Sequence, residues 1–186
     1  MDRYAHRKST CRIRLMDGST PIAGRKVTVE LKNHEFRFGC NIFWLSEMLD
    51  PRTPPARRVW LEQLWEKWHA LFNFGTLPFY QGRYEREEGV TQEESTLRTA
   101  AFLKDNGVAM KGHPLCWHTV SAKWLLGRPN ADVLANQLSR IRRELTAFRD
   151  YIHMWDVINE VAIMPIFDKE DNAITRLCAE MGRVNL

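Results

Sequence analysis

The sequence predicts an α/β protein built on a parallel sheet, and three observations carry that prediction. Short apolar runs alternate with amphipathic stretches long enough to cross over a sheet, the pattern of right-handed strand–helix–strand units. Four such runs follow one another, at 36–43, 71–75, 108–113 and 151–158. A segment of alternating character around a polar turn stands before them as a small β extension.

The extension occupies residues 11–31. Ile13 and Leu15 share one face, Asp17-Gly18-Ser19-Thr20-Pro21 makes the turn, and Val27, Val29 and Leu31 follow, which reads as a hairpin. Phe36-Arg37-Phe38-Gly39-Cys40-Asn41-Ile42-Phe43 is the first strand of the sheet. A helix over 51–72 takes Thr53 as its cap and Pro54 near its first turn, and sets Leu61, Leu64, Trp65 and Trp68 at i, i+3, i+4 and i+7. Leu71-Phe72-Asn73-Phe74-Gly75 is the second strand. The next helix, over 93–105, stops at Asn106-Gly107, two residues that tolerate the left-handed backbone of a helix end. Val108 to His113 is the third strand. Asn130 caps a long helix with Leu134, Leu138, Ile141, Leu145 and Phe148 on one stripe, and Tyr151 to Ile158 is the fourth strand. Trp44, Trp60, Trp65 and Trp68 are assigned to packing.

Composition narrows the function classes. The chain has 186 residues, 44% hydrophobic and 27% charged, which is enough apolar mass for a packed core and no bias toward disorder. No stretch nears the roughly 20 consecutive apolar residues that span a bilayer. The polar start Met1-Asp2-Arg3-Tyr4 lacks the apolar core of an export signal, so no membrane partner is expected and the residues themselves assign no compartment. The net charge is 27 − 23 = +4. Its basic clusters, Arg57-Arg58 and Arg140-Arg142-Arg143, are interrupted by apolar residues and opposed by Glu62, Glu66 and Glu144. They read as solvated helix faces, and no nucleic-acid partner is expected. The four cysteines, Cys11, Cys40, Cys116 and Cys178, have no paired spacing and read as free thiols.

Ligands of parallel α/β proteins sit at the carboxyl ends of the strands. There the third strand runs into Gly112-His113-Pro114-Leu115-Cys116-Trp117-His118, and the fourth into Trp155-Asp156-Val157-Ile158-Asn159-Glu160. Alternation along a strand puts Asp156, Ile158 and Glu160 on one face and Asn159 off it. His113, Cys116 and His118 offer three metal ligands, but a closed zinc site takes four. In a strand His113 and Cys116 point to opposite faces, so neither metal nor cofactor is expected.

These segments carry a resemblance. Lys111 to His118 resembles the Gly-His-x-Leu-x-Trp-His motif of family 10 glycoside hydrolases, the endo-β-1,4-xylanases, and Trp155 to Glu160 resembles their Trp-Asp-Val-x-Asn-Glu motif. Phe36-Arg37-Phe38-Gly39 is similar to the first barrel strand of that family, and the hairpin before it to a β extension that some members carry. The resemblance implies an incomplete (β/α)8 TIM barrel holding the first four βα units. Residues 1–35 would be the hairpin extension and 36–186 the amino-terminal half of a barrel that takes about 250 residues when whole. It further implies hydrolysis of β-1,4-glycosidic bonds in xylan or a related plant polysaccharide, an oligosaccharide or polysaccharide as partner, and an extracellular site of action. Glu160 would be the general acid/base, Asn159 would hold the 2-hydroxyl of the sugar at the cleavage point, and His113 and Trp117 would line the same subsite. Those residue types suit the chemistry. A retaining glycosidase sets two carboxyl groups about 5 to 5.5 Å apart, one to protonate the leaving oxygen and one to attack the anomeric carbon. An indole face gives a sugar ring an apolar platform.

The second strand departs from the family pattern. Where members carry Glu-Asn and Lys-Trp pairs, the sequence runs from Gly75 through Pro78-Phe79-Tyr80-Gln81-Gly82-Arg83-Tyr84 to Glu85, resembling a divergent branch. Tyr80, Gln81 and Arg83 are candidate substrate contacts there. Glu85, Glu87, Glu88 and Asp168 have no motif support as the nucleophile, which by the resemblance lies on a later strand outside this sequence. A non-catalytic carbohydrate-binding role would use the same Trp117, His113 and Asn159 without the chemistry. An open sheet would also leave its fourth strand with an unpaired edge, so self-association through that edge is expected.

Overall fold

A computed structural model describes residues 3–32 and 35–160. The expectations for Asp168 and Cys178 lie outside the described residues, as do those for the side chains of His118 and Asn130. Two compact units divide the chain, Met1–Glu35 and Phe36–Leu186.

In the first unit, β1 (Met16–Asp17) and β2 (Thr20–Pro21) pair antiparallel, Met16 against Pro21 and Asp17 against Thr20. The ladder is much shorter than the hairpin expected over 11–31. Ile13, Val27, Val29 and Leu31 are exposed, so no buried apolar face stabilises a longer one.

In the second unit, β3 (Gly39–Asn41), β4 (Phe74–Pro78), β5 (Ala109–His113) and β6 (Met154–Trp155) form a parallel sheet in that order. The connections hold α1 (Leu45–Met48), α2 (Pro55–His69), α3 (Gln81–Tyr84), α4 (Glu93–Asp105) and α5 (Asn130–Phe148). This is the strand–helix repeat that the sequence predicts, and the sheet does not close into a barrel among the described residues. None of the described helices is long and apolar enough to cross a membrane.

Burial alternates along the central strands. Gly75, Leu77, Met110 and Gly112 are buried, whereas Thr76, Pro78, Lys111 and His113 are partly exposed. Leu77 and Met110 pack with Ile42, Leu61, Trp68, Leu103 and Phe148 in one core, which leaves the other face free to carry polar side chains. Gly112 has a steric reason. A Cβ there would come within 2.2 Å of the Trp155 ring on the neighbouring strand.

Several boundaries move. β4 begins three residues after the expected start at Leu71, because the amides of Leu71 and Phe72 still donate to the Trp68 carbonyl and close α2. Asn73 then ties the strand entry to the first strand, accepting from the Phe38 N–H at 2.8 Å and donating to the Phe36 carbonyl at 3.0 Å. α2 is shorter than 51–72, and Thr53 does not cap it. The Thr53 hydroxyl donates instead to the Glu47 carbonyl at 2.5 Å, and Pro54 stands at the cap position. α4 matches its predicted bounds. Gly107 takes the left-handed backbone at φ 71, while Asn106 stays right-handed at φ −93. β6 covers two residues of the expected 151–158; past it the two segments stay hydrogen-bonded without a regular ladder, with one bridge between Cys116 and Ile158. Trp60 is half exposed under the Arg57 guanidinium, 4.6 Å from its ring centroid, and is not a packing residue.

The largest correction concerns α5. Leu134, Leu138 and Leu145 are 36–40% exposed, while Val133, Gln137, Arg140, Glu144 and Phe148 are buried. The helix is rotated from the expected stripe, with Phe148 alone common to both faces. Arg140 and Glu144 are therefore interior residues and not parts of a solvated face.

Candidate active site

The site forms where β5 and β6 end. Lys111 and His113 lie two apart on β5 and share its partly exposed face. Asp156 follows β6, and its N–H donates to the Gly112 carbonyl at 3.0 Å, which fixes the carboxylate opposite them. Its Oδ2 accepts from Lys111 Nζ at 2.6 Å and meets His113 Nδ1 at 2.7 Å. Burial pushes the Asp156 pKa up, but the bonds and charge of Lys111 and His113 outweigh it and hold the carboxyl below its ordinary 3.8. Engagement of Nδ1 leaves Nε2 as the His113 nitrogen available to a ligand.

Beyond the regular strands the two segments stay hydrogen-bonded. Leu115 N–H donates to the Asp156 carbonyl at 2.9 Å, Cys116 N–H to the Val157 carbonyl at 2.8 Å, and Asn159 N–H to the Cys116 carbonyl at 2.9 Å. This pairing brings the two predicted motifs side by side. Trp117 Nε1–H donates to Glu160 Oε2 at 2.9 Å. Glu160 itself has φ 58, a left-handed backbone costing a non-glycine residue about 1–2 kcal/mol. The expected alternation of Asp156, Ile158 and Glu160 does not place Glu160. The strand has ended by then, and the left-handed turn together with the Trp117 indole sets its position. Asn159 is half-buried and its side chain makes no hydrogen bond among the described residues, so its amide is open to a ligand.

Tyr80, from the loop after β4, completes the rim. Its ring centroid lies 5.4 Å from that of His113, edge-on, and 5.6 Å from that of Trp117. The Arg83 guanidinium lies 5.6 Å from the Tyr80 centroid, and both residues line a cavity of about 170 Å³. Gln81 is instead buried, donating to Asn136 Oδ1 at 3.3 Å, so it faces α5 and not the rim. Of the four carboxylates considered as nucleophile, Glu85 is buried against Arg143 at 2.6 Å and Glu88 is paired with Arg128 at 2.7 Å. Glu87 is exposed beside the short bridge to Val90.

Sequence reasoning singled out His113, Trp117, Asn159 and Glu160, and the backbone pairing brings their segments together. It missed Lys111 as a partner of Asp156. The signal was available, because residues two apart on a strand share a face and His113 was already placed.

Comparison with known proteins identifies the family. Residues 81–176, more than half of the chain, match the profile of Glycosyl hydrolase family 10. The chain is 25% identical over 171 residues to an Arabidopsis thaliana protein named endo-1,4-beta-xylanase 5-like, covering 88% of this chain and 28% of that protein. It is 33% identical over 85 residues to a Xylanibacter ruminicola endo-1,4-beta-xylanase/feruloyl esterase, covering 42% of this chain and 12% of the relative. The chain thus spans well under a third of the curated relatives it matches. The fold resembles that of a family 10 endoxylanase retrieved from sugarcane soil metagenome, with TM-score 0.61 at 16% identity, over 78% of this chain and 42% of that one. A profile match over most of the site-bearing region, on a fold that family members share, means that the chain belongs to glycosyl hydrolase family 10.

Proposed function

We propose that the chain carries the acid/base side of an endo-β-1,4-xylanase active centre acting with retention on xylan or a related polysaccharide. The observation that carries this reading is the Trp117–Glu160 contact at 2.9 Å, set beside the Lys111–Asp156–His113 cluster at the ends of adjacent strands. Glu160 protonates the leaving glycosidic oxygen and later takes a proton from water. The Asn159 amide holds the 2-hydroxyl, where a hydrogen bond strengthens in the transition state. His113 offers Nε2 to the same sugar and Trp117 offers its ring face. Asp156 and Glu85 are committed to cationic partners, and the nucleophile, by the family resemblance, is a carboxylate on a later strand. A polymeric substrate of this kind places the action outside the cell.

The test is release of reducing sugar from xylan by the chain continued through its downstream coding sequence. Glu160→Gln is expected to lower that rate by about 10² to 10⁴, the range for loss of a positioned acid/base. An inactive continued enzyme, or one indifferent to Glu160→Gln, contradicts the reading. Saturable binding of xylo-oligosaccharides by a continued chain that hydrolyses nothing would instead favour the carbohydrate-binding role.

A further inference from the structure

The interior of α5 holds a polar group that the chemistry above does not use. Arg140 is 1% exposed and Glu144 fully buried, beside Gln137 at 1% and Glu85 at 2%. Arg143 joins them at the surface, bonded to Glu85 at 2.6 Å and to Glu144 at 2.9 Å. Burying such charges is costly, and apolar residues of similar volume often serve stability as well or better. The helix had that option, since its leucine stripe at 134, 138 and 145 is left part-exposed. Among the described residues Arg140 Nε and Gln137 Oε1 have no hydrogen-bond partner, so the group is not optimised for stability alone.

What Arg140 does reach is informative. Nη1 donates to the Leu115 carbonyl and Nη2 to the Phe79 carbonyl, so one guanidinium bridges two loops. The Phe79 carbonyl belongs to the peptide that leads into Tyr80. The Leu115 carbonyl stands two residues before Trp117. A second link joins the same loops, because Gly82 packs so closely on Ser121 that an added Cβ would lie 2.6 Å from its carbonyl oxygen. Tyr80 and Trp117 are the rings in contact at the rim, and Trp117 holds Glu160.

We propose that Arg140 is a positioning residue, a fork that fixes the spacing of the β4 and β5 loops and thereby the Trp117–Glu160 contact. As a role in saccharide recognition this rests on the function proposed above. The clamp itself does not, and the two are read separately. A planar guanidinium can serve both carbonyls at once, whereas an ammonium cannot hold that fixed geometry.

The test is the ¹⁵N-indole spectrum of the whole chain, with the Trp117 signal assigned through Trp117→Phe. The double variant Arg140→Met/Glu144→Leu removes one charge of each sign, leaves Arg143 paired with Glu85 and keeps the interior filled. Arg140→Lys, which keeps the charge and loses the fork, is the second variant in case the first does not fold. In either variant the Trp117 indole signal moves toward that of a free indole, while the signal of the buried Trp68, whose N–H lies 3.1 Å from Cys40 Sγ, stays in place. In the same variant xylotetraose affinity falls by about tenfold to a hundredfold. An unmoved Trp117 signal in a folded variant, or all indoles shifting together, overturns the clamp. If the Trp117 signal moves but the unaltered chain binds no saccharide, the clamp stands and the proposed function fails.

Discussion

Asp156 receives Lys111 and His113 through a single oxygen, and this makes it the residue whose titration the fold feels. Its pKa is lowered in the folded chain, so on acidification the unfolded chain binds the proton first. Stability from this group is whole above about pH 4 and is lost as pH falls through the depressed folded value. Asp156→Asn should flatten that part of the acid limb, seen as urea midpoints that converge with those of the parent chain below about pH 4. The effect is modest because the side chain is 34% exposed. Divergence that grows toward low pH would contradict the assignment. Gly112 makes a second prediction. Gly112→Ala drives a methyl into the Trp155 ring and should destabilise by about 1–3 kcal/mol in chemical denaturation, with no loss if the ring can swing aside freely.

At the level of elements, α5 shows what the sequence can and cannot say. Its existence was plain from the long apolar periodicity, and the stop of α4 was readable from Asn106-Gly107 because a left-handed residue there has a mechanism. Its rotation was not readable. Periodicity identifies the most apolar stripe, whereas the sheet receives the face whose groups can satisfy the loop carbonyls, and those carbonyls come from residues 61 and 25 positions away from Arg140. The two views predict opposite mutational orders. Val133→Ala, at a fully buried position, should cost about 1.5–3 kcal/mol, and Leu138→Ala, at a 39% exposed one, less than about 1. Urea midpoints of the two variants decide between them. The same limit applies to Glu160, since alternation holds only within a strand and β6 ends at Trp155.

For the whole molecule, the order of the parallel strands and the juxtaposition of the two strand-end motifs were legible, because each unit announces itself locally. Among the described residues β3 and β6 are the outer strands of the sheet, and Phe36, Phe38, Met154 and Val157 near them are exposed. Edges of this kind pair with other chains, and sedimentation velocity should show association that grows with concentration; a monodisperse monomer would contradict it. The central claim is that the rim around Trp117 and Glu160 is a saccharide site. It is tested most directly by titrating xylotetraose into the isotopically labelled chain and mapping the perturbed signals. Saturable shifts centred on the Trp117 indole, the His113 ring and the Asn159 amide are the predicted result, and no saturable shift, or shifts centred elsewhere on the molecule, would contradict the claim.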